Sequence, residues 1–103
     1  MREYYVYLLR FQDGSYYTGI TNNVEKRMWQ YRNNRHPNSY VNQKGTFDLV
    51  RVEMFEYVLD AIGREKQIKR WSRKKKDALV NGYWELLPKL SKKDFSKKVN
   101  RHI

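Results

Sequence analysis

The sequence predicts a small α+β domain, in which a three-stranded antiparallel sheet is flanked by about three helices. The chain has 103 residues, of which 40% are apolar and 32% are charged, a size and composition that suit one domain with a modest core. Two β-rich segments separated by a short turn signal favour a hairpin at the start of the chain. Helical patterns and one further strand pattern follow, so the expected order is strand, strand, helix, strand, helix, helix.

The first two strands are predicted over residues 4–11 and 15–21. The first segment, YYVYLLRF, is typical of a strand that is buried on both faces. A two-residue turn would put Tyr7 and Tyr17 on opposite faces of the hairpin, whereas a three-residue loop would put them on one face. We expect the three-residue loop, because Gly14 in its third position suits the left-handed residue of a bulged turn.

The three-residue loop also determines which residues face each other across the hairpin. Tyr7 then lies opposite Gly19, and Leu9 lies opposite Tyr17, so the two tyrosines become diagonal neighbours. Because Gly19 carries no side chain, we expect open space beside the Tyr7 phenol.

The later elements follow from capping residues and hydrophobic periodicity. They are, in order, a helix over 24–33 capped by Thr21 or Asn22, a loop over 33–45, a strand over 47–57, a helix over 58–70, and a helix capped by Ser72 that ends near Asn81 and Gly82. We expect a domain over residues 1–85 and a basic extension over residues 86–103, mobile beyond about Lys92.

The positive charge is concentrated in the second part of the chain. The net charge is +11, of which residues 1–60 contribute +1 and residues 61–103 contribute +10. The segment 64–76 alone holds eight Lys and Arg in thirteen residues. A merely solvated face would explain some of this charge, but its density favours a surface that binds a polyanion such as nucleic acid.

Several protein classes are excluded by what the sequence lacks. There is no cysteine, which excludes disulfides and thiolate metal sites. No segment approaches the ~18 apolar residues of a membrane span, and the first ten residues lack a signal-peptide pattern. We therefore expect a cytoplasmic protein with no membrane partner. His36 and His102 show no ligand spacing and are interpreted as surface residues.

Glu65 falls within the apolar stripe of the second predicted helix. The stripe is formed by Val58, Ala61, Ile62 and Ile68. Burying a carboxylate is costly unless the charge has a partner. Three interpretations are open: an ion pair with a nearby Lys or Arg, a marginal Glu that reaches solvent, or a metal ligand at the bottom of a cleft.

Arg27 occupies a comparable place in the first predicted helix. It lies between Val24 and Tyr31 of the inward stripe, whereas Lys26 is expected to point away. Arg27 could be a structural partner of Glu65. It could also hold a phosphate, because the donors of a guanidinium match phosphate oxygens two at a time.

Four segments of the chain together resemble the GIY-YIG nuclease domain. Residues 5–7 (YVY) look like its GIY element, and residues 17–19 (YTG) look like its YIG element. Residues 18–27 are similar to the stretch that ends at the family's helix arginine, and residues 64–69 to the segment with its metal-binding glutamate. The match is best to small single-domain bacterial members and covers residues 3–85.

The resemblance implies a metal-dependent endonuclease that hydrolyses phosphodiester bonds. The resemblance implies DNA as the substrate, with branched or damaged structures as the candidate targets and DNA repair as the candidate process. RNA is an alternative substrate. Carried over from the family, Tyr7 would act as general base or position the water, and Tyr17 would support it by hydrogen bonding. Arg27 would hold the scissile phosphate, and Glu65 would bind one Mg²⁺ or Mn²⁺.

Some positions depart from the family pattern. Tyr31 stands where many members have His, and it can donate a hydrogen bond but cannot carry a proton as imidazole does near neutral pH. Tyr5 replaces the first glycine of the GIY element. Gly19 and Tyr31 are supporting residues in this interpretation. Asn81 is the only counterpart of a late Asn in some relatives, and it is more simply the end of a helix.

Two other function classes remain in view. The first is a nucleic-acid-binding module with little catalysis, whose binding would weaken steeply with salt. Its phosphate-contacting residues would be Lys66, Lys69, Arg70, Arg73, Lys74, Lys75 and Lys76. The second is an interaction module or weak homodimer that uses Trp84, Leu86 and Leu87.

Overall fold

The computed structural model describes residues 3–35 and 37–82, which divide into a first unit ending at Lys69 and a second beginning at Arg70. The first unit contains β1 (Tyr4–Phe11), β2 (Tyr16–Thr21), α1 (Val24–Arg32), α2 (Tyr40–Lys44), β3 (Phe47–Phe55) and α3 (Val58–Lys69). The second unit contains α4 (Arg73–Asn81). No helix in these described ranges has the length and apolar character needed to cross a membrane.

Several sequence predictions concern residues outside the described ranges. These are the domain boundary at residue 85, the basic extension, the two histidines and the apolar residues proposed for self-association, namely His36, Trp84, Leu86, Leu87 and His102.

The sheet is three-stranded and antiparallel, with the order β2-β1-β3, so the predicted α+β class is confirmed. β1 is the central strand, and the four residues from Val6 to Leu9 are each fully buried. A central strand between helical layers needs apolar side chains on both faces. This explains the nearly continuous apolar character of its sequence.

The hairpin has the three-residue loop that the sequence predicts. Tyr7 pairs with Gly19, as that loop length requires. The Gly14 N–H donates to the Phe11 carbonyl at 2.9 Å, and the Phe11 N–H donates to the Ser15 carbonyl at 2.9 Å. Gly14 has φ 84°, the left-handed conformation that glycine adopts without strain.

The N-cap of α1 is Asn23, so the prediction of Thr21 or Asn22 is wrong. Asn23 has extended backbone (φ −151°), and its side-chain oxygen accepts a hydrogen bond from the Lys26 N–H at 2.9 Å. Thr21 instead uses its hydroxyl oxygen to accept from the Asn23 N–H at 3.2 Å. The side chain that reaches the first free helical N–H groups therefore belongs to the residue directly before the helix.

The segment between α1 and β3, predicted as a loop, contains the short helix α2. Ser39 caps it by accepting a hydrogen bond from the Asn42 N–H at 3.2 Å, and Gly45 ends it with φ 102°. Val41 is 1% exposed in the core, and the Asn42 side chain donates to the Tyr31 carbonyl at 2.7 Å. One buried valine and one side-chain hydrogen bond thus fix α2 against the core and α1.

The core between α1, α2 and the sheet lies on one face of β1. It is formed by Tyr7, Leu9, Phe11, Met28, Tyr31 and Val41. Because side chains alternate along a strand, Val6 and its β3 partner Glu53 lie on the other face. Arg64 of α3 binds Glu53 there, with Nε at 2.7 Å from one carboxylate oxygen. The sheet of the first unit therefore carries helices on both faces.

The single described helix of the second unit has the ends that the sequence predicts. The Ser72 hydroxyl accepts a hydrogen bond from the Lys75 N–H at 3.2 Å. The helix ends at Asn81, and Gly82 follows in the left-handed conformation with φ 77°. The interpretation of Asn81 and Gly82 as a helix end is confirmed.

Candidate active site

Three tyrosines from β1, β2 and α1 meet on the face of the sheet that α1 covers. The ring centroid of Tyr7 lies 6.3 Å from that of Tyr17 and 6.4 Å from that of Tyr31. The phenol oxygens of Tyr7 and Tyr31 are 2.7 Å apart and share a hydrogen bond. Both residues are buried, with exposures of 0% and 5%. The hairpin register and the helical position of Tyr31 together produce this cluster.

Gly19 is required by the position of the Tyr7 ring. A Cβ atom at Gly19 would overlap the phenol carbon Cζ and the oxygen of Tyr7. The expected open space beside the phenol is therefore absent, because the Tyr7 ring itself lies across Gly19. The absence of a side chain at Gly19 lets the phenol reach Tyr31.

Arg27 brings a guanidinium to the tyrosine cluster. Its Nη1 atom lies 3.5 Å from the Tyr7 phenol oxygen, at the outer limit of a hydrogen bond. Partial burial lowers the pKa of Arg27, but hydrogen bonding to Tyr31 and Tyr7 more than offsets this, and the net shift is upward. In the described part of the chain, Arg27 forms no ion pair with a carboxylate. The hydrogen-bond partners of this guanidinium are phenols rather than carboxylates.

The phenols of Tyr7 and Tyr17 are held in their protonated form. Burial raises the pKa of Tyr7, the contact with Tyr31 raises it further, and the opposing effect of Arg27 is smaller. Burial is also the main cause of the raised pKa of Tyr17, to which the charge of Glu65 adds. A nearby cation thus fails to make Tyr7 acidic. Near neutral pH both phenols are therefore protonated in this structure.

Glu65 approaches the cluster from α3. Its side chain is 16% exposed, and one oxygen lies 3.3 Å from the Lys69 ammonium, one helical turn later. Its charge acts on the Tyr17 phenol. The ion pair considered for Glu65 is therefore present, but its partner is Lys69 and not Arg27.

The donor set at Glu65 suits a hydrated hard cation. Among residues 3–35 and 37–82, no three His, Cys, Asp or Glu side chains converge as they would around a zinc ion. Mg²⁺ keeps several water ligands and commonly takes only one or two protein carboxylates. The single carboxylate of Glu65 fits that requirement.

The predicted phosphate-contacting residues differ in exposure. In the first unit, Lys66 and Lys69 are exposed on α3. In the second unit, the exposed residues are Arg70, Arg73 and Lys74, whereas Lys76 is partly buried and its pKa is lowered by that burial.

Lys75 does not share the exposure of its neighbours. It is 2% exposed, and its ammonium lies 4.1 Å from the centroid of the Trp71 ring. A buried cation over an indole is a packing arrangement, so the expectation that Lys75 contacts phosphate is corrected.

Tyr40 is an aromatic residue beside the cluster that the sequence argument missed. It opens α2, is 53% exposed, and its ring lies nearly parallel to that of Tyr17, with centroids 6.0 Å apart and 21° between planes. Because a loop is predicted over residues 33–45, the sequence assigns Tyr40 to no helix or strand and therefore to no packed face. Ser39 directly before it and Gly45 after it were the available signals of a short capped helix.

Comparison with known proteins identifies the domain. A family model described as the GIY-YIG catalytic domain matches residues 3–78, which include the tyrosine cluster, Arg27 and Glu65. A UPF0213 protein of Staphylococcus saprophyticus is 37% identical over 81 residues, which cover 79% of this chain and 98% of that protein. A UPF0213 protein of Clostridium perfringens is 35% identical over 96 residues, which cover 93% and 97% of the two chains.

A solved structure agrees with both the fold and the family. The solution NMR structure of the UPF0213 protein from Bacillus halodurans matches with a TM-score of 0.50 and 35% sequence identity, covering 77% of this chain and 83% of that one. The names of these relatives state no activity, whereas the matched domain is that of a nuclease family. The chain therefore belongs to the GIY-YIG family.

Proposed function

We propose that this protein is a metal-dependent endonuclease that hydrolyses phosphodiester bonds in DNA. The observation that carries the proposal is the position of Arg27, a partly buried cation held against the neutral phenols of Tyr7 and Tyr31. In the described part of the chain no carboxylate neutralises this cation. A site with one uncompensated guanidinium is suited to receive an anion such as a phosphodiester.

Arg27 binds and orients the scissile phosphate in this proposal. Its planar donors match two phosphate oxygens, and its charge offsets the negative charge that develops on the phosphate as water attacks. The Tyr7 phenol hydrogen-bonds to the water or to the phosphate and is itself fixed by Tyr31 at 2.7 Å. A protonated Tyr7 is a positioning group rather than a general base.

Glu65 is the residue that would hold a divalent ion, Mg²⁺ or Mn²⁺. When bound, such an ion supplies positive charge for the phosphate and makes coordinated water more acidic. If Glu65 held such an ion, the Lys69 ammonium, now 3.3 Å from one Glu65 oxygen, would have the phosphate backbone as an alternative partner. The charge of Glu65 acts on the Tyr17 phenol, which supports a role for Tyr17 near the carboxylate.

The exposed basic residues support a nucleic-acid substrate beyond the single phosphate. Lys66 and Lys69 extend the positive charge along α3 from Glu65. We propose branched or damaged DNA as the target, in a cytoplasmic repair process, with the protein acting as a monomer or weak homodimer. Phosphate contacts of this type fix the position of the protein on DNA without reading the sequence.

The test is cleavage of supercoiled and branched DNA in the presence of Mg²⁺ or Mn²⁺. We expect the wild type to cleave, Glu65→Gln to lose cleavage, and Glu25→Gln, at an exposed position in the first turn of α1, to retain it. Mn²⁺ binding is measured by the decrease in the EPR signal of the free ion. We expect this decrease in the wild type and not in Glu65→Gln. Cleavage that persists in EDTA, or that is equal in both Glu variants, would contradict the proposal.

A nucleic-acid-binding module is the second candidate, and the exposed cations of α3 favour it independently of catalysis. Such a module would bind DNA with a steep dependence on salt, because binding releases counterions. Tight, salt-sensitive binding by a wild type that cleaves none of the substrates would support this function over the nuclease.

A further inference from the structure

Tyr40 presents an aromatic ring to solvent at the edge of the candidate active site. One face of the ring lies against Tyr17, with centroids 6.0 Å apart and 21° between planes. The ring also makes a T-shaped contact with Phe11, with centroids 5.8 Å apart and 73° between planes. The residue is nevertheless 53% exposed. Because one face lies against Tyr17, a ligand ring would stack on the opposite face of Tyr40.

The position of Tyr40 is fixed by contacts of its own helix. The Ser39 cap and the buried Val41 flank it in the chain and hold α2 against the core. At the other end of α2, the Lys44 ammonium forms an ion pair with Asp13 of the hairpin loop at 2.6 Å. The ring is therefore preorganised, and a ligand that stacks on it loses little entropy by ordering the protein.

The aromatic contacts lead from Tyr40 directly to the proposed phosphate site. Tyr17, on which Tyr40 stacks, contacts Tyr7 at 6.3 Å between centroids, and Tyr7 contacts Arg27. Tyr40 is thus connected to the proposed phosphate-binding cation through two intervening tyrosine rings. Exposed aromatic rings and a cationic surface are the combination that proteins use to hold single-stranded nucleic acid. Inside a duplex each base is already stacked on its neighbours, so only an unpaired or displaced base can reach such a ring.

We propose that Tyr40 is a stacking platform for an unpaired nucleobase next to the scissile phosphate. This inference rests on the proposed nuclease function and defines its substrate class, namely DNA with an unpaired nucleotide at the cleavage position. The platform accepts any base, because every base has an aromatic face, and so it selects the structure of the DNA rather than its sequence.

Trp29 provides a matched control on the same unit. It is 51% exposed, almost as much as Tyr40, and it too lies beside a cation, with the Arg35 guanidinium 5.2 Å from its ring. Two residues along a helix correspond to about 200° of rotation, so Trp29 and Arg27 lie on opposite sides of α1. If a base must stack close to the candidate site, substitution of Tyr40 should weaken DNA binding and substitution of Trp29 should not.

The experiment measures binding of short DNA duplexes by fluorescence anisotropy at one fixed salt concentration. The protein carries Glu65→Gln throughout, so that cleavage does not interfere. Three duplexes are compared: one fully paired, one with a single bulged nucleotide, and one with the same bulge lacking its base. We expect tightest binding to the intact bulge, and loss of its base should weaken binding about 5- to 100-fold.

Substitutions in the protein should reproduce the effect of removing the base. Tyr40→Leu should weaken binding of the intact bulge by a similar factor and leave binding of the baseless bulge unchanged. Tyr40→Phe, which keeps the ring, and Trp29→Leu should both bind like the parent protein. Parallel binding measurements with single-stranded RNA and single-stranded DNA show whether the Tyr40 ring stacks on the bases of both polymers.

The failure of this inference and of the proposed function can be told apart. Equal binding of the intact and baseless bulges would overturn the stacking role, whether or not the wild type cleaves DNA. This comparison needs no substitution at Tyr40 and so holds even if Tyr40→Leu does not fold. Conversely, base-dependent binding through Tyr40 by a wild type without nuclease activity would support the platform and contradict the nuclease.

Discussion

Arg27 and Arg64 are both partly buried arginines on helices that pack against the sheet, yet their surroundings differ. Arg64 binds both oxygens of Glu53, through Nε at 2.7 Å and Nη2 at 3.0 Å. Arg27 lies among phenols, 3.5 Å from the Tyr7 oxygen. The charge of Arg64 is thus neutralised within the protein, whereas Arg27 forms no ion pair in the described part of the chain, as the proposed phosphate contact requires.

The Glu53 site illustrates an ion cluster built for structure. Burial alone would raise the pKa of Glu53, but hydrogen bonds from Arg64 and Arg51 reverse the effect, and its pKa lies below the usual range. Arg51 contributes a third contact at 2.7 Å. A carboxylate bound by two guanidiniums joins β3 to α3 and leaves little capacity for a ligand.

The largest expected effect is on Arg27. Arg27→Ala removes the only cation that contacts the Tyr7 phenol among the described residues, and it should lower the cleavage rate about 10²- to 10³-fold. Stability should change little, because the side chain has no ion pair to lose within the described ranges. Single-turnover cleavage and thermal unfolding on the same samples measure the two quantities.

Two variants keep this result specific. Lys26→Ala removes an adjacent but exposed cation and should leave the cleavage rate nearly unchanged. Arg27→Lys keeps the charge but loses the paired donors, so its rate should remain well below that of the wild type. A rate loss in Lys26→Ala as large as in Arg27→Ala would mean that general charge, and not the site geometry, is responsible.

The second prediction concerns Glu53, where stability should change and chemistry should not. Glu53→Gln weakens the contacts to Arg51 and Arg64 and should lower the free energy of unfolding by about 2 kcal/mol. Below the unfolding temperature the cleavage rate should stay near that of the wild type. A large loss of rate in a folded variant would show that the two arginine sites are not independent.

Glu53 also predicts an acid dependence. Since its pKa is lowered in the folded state, its stabilising effect is complete above the ordinary value of 4.5 and is lost as the pH falls through the lower folded value. Urea unfolding between pH 6 and pH 3 should therefore show a smaller loss of stability in Glu53→Gln than in the wild type. An identical loss in both proteins would contradict this assignment.

The tyrosine side of the site was largely predictable from the sequence, and the reason is geometric. Loop length and strand alternation place Tyr7 and Tyr17 on one face, and helical spacing places Arg27 and Tyr31 on the inward side of α1. These relations involve neighbouring elements, and each is determined by counting residues. The distance between the Tyr7 and Tyr31 oxygens, in contrast, depends on how α1 packs.

Contacts between distant segments were not predictable in the same way. The Glu53–Arg64 pair joins a strand to a helix, and nothing in either segment selects the partner. Lys75 was grouped with its exposed neighbours because a run of cations hides which one points inward toward Trp71. Tyr40 was missed because a five-residue helix is too short to show periodicity.

The third prediction sharpens the contrast at the tyrosine cluster. Tyr31→Phe keeps the ring but removes the 2.7 Å hydrogen bond to the buried Tyr7 phenol, and it should lower the free energy of unfolding by about 1 kcal/mol. Cleavage should fall as well, because Tyr7 is no longer held in one orientation. Chemical unfolding and the cleavage rate are measured for Tyr31→Phe and for Glu53→Gln. Tyr31→Phe should lower both stability and rate, whereas Glu53→Gln should lower stability alone.

The smallest expected effect distinguishes the neutral phenol of Tyr7 from the ionised carboxylate of Glu53. Because the pKa of Tyr7 is raised above its ordinary value of 10.0, the folded protein retains this proton when the unfolded chain loses it. The contribution of Tyr7 to the free energy of unfolding is complete below pH 10 and decreases as the pH rises above that value. At about pH 10.5 the decrease should be about 1 kcal/mol. Tyr7→Phe should therefore lose less stability than the wild type between pH 7.5 and pH 10.5 in urea unfolding. Equal losses would mean that Tyr7 ionises as readily in the folded protein as in the unfolded chain, and the role of Tyr7 as a protonated positioning group would then be wrong.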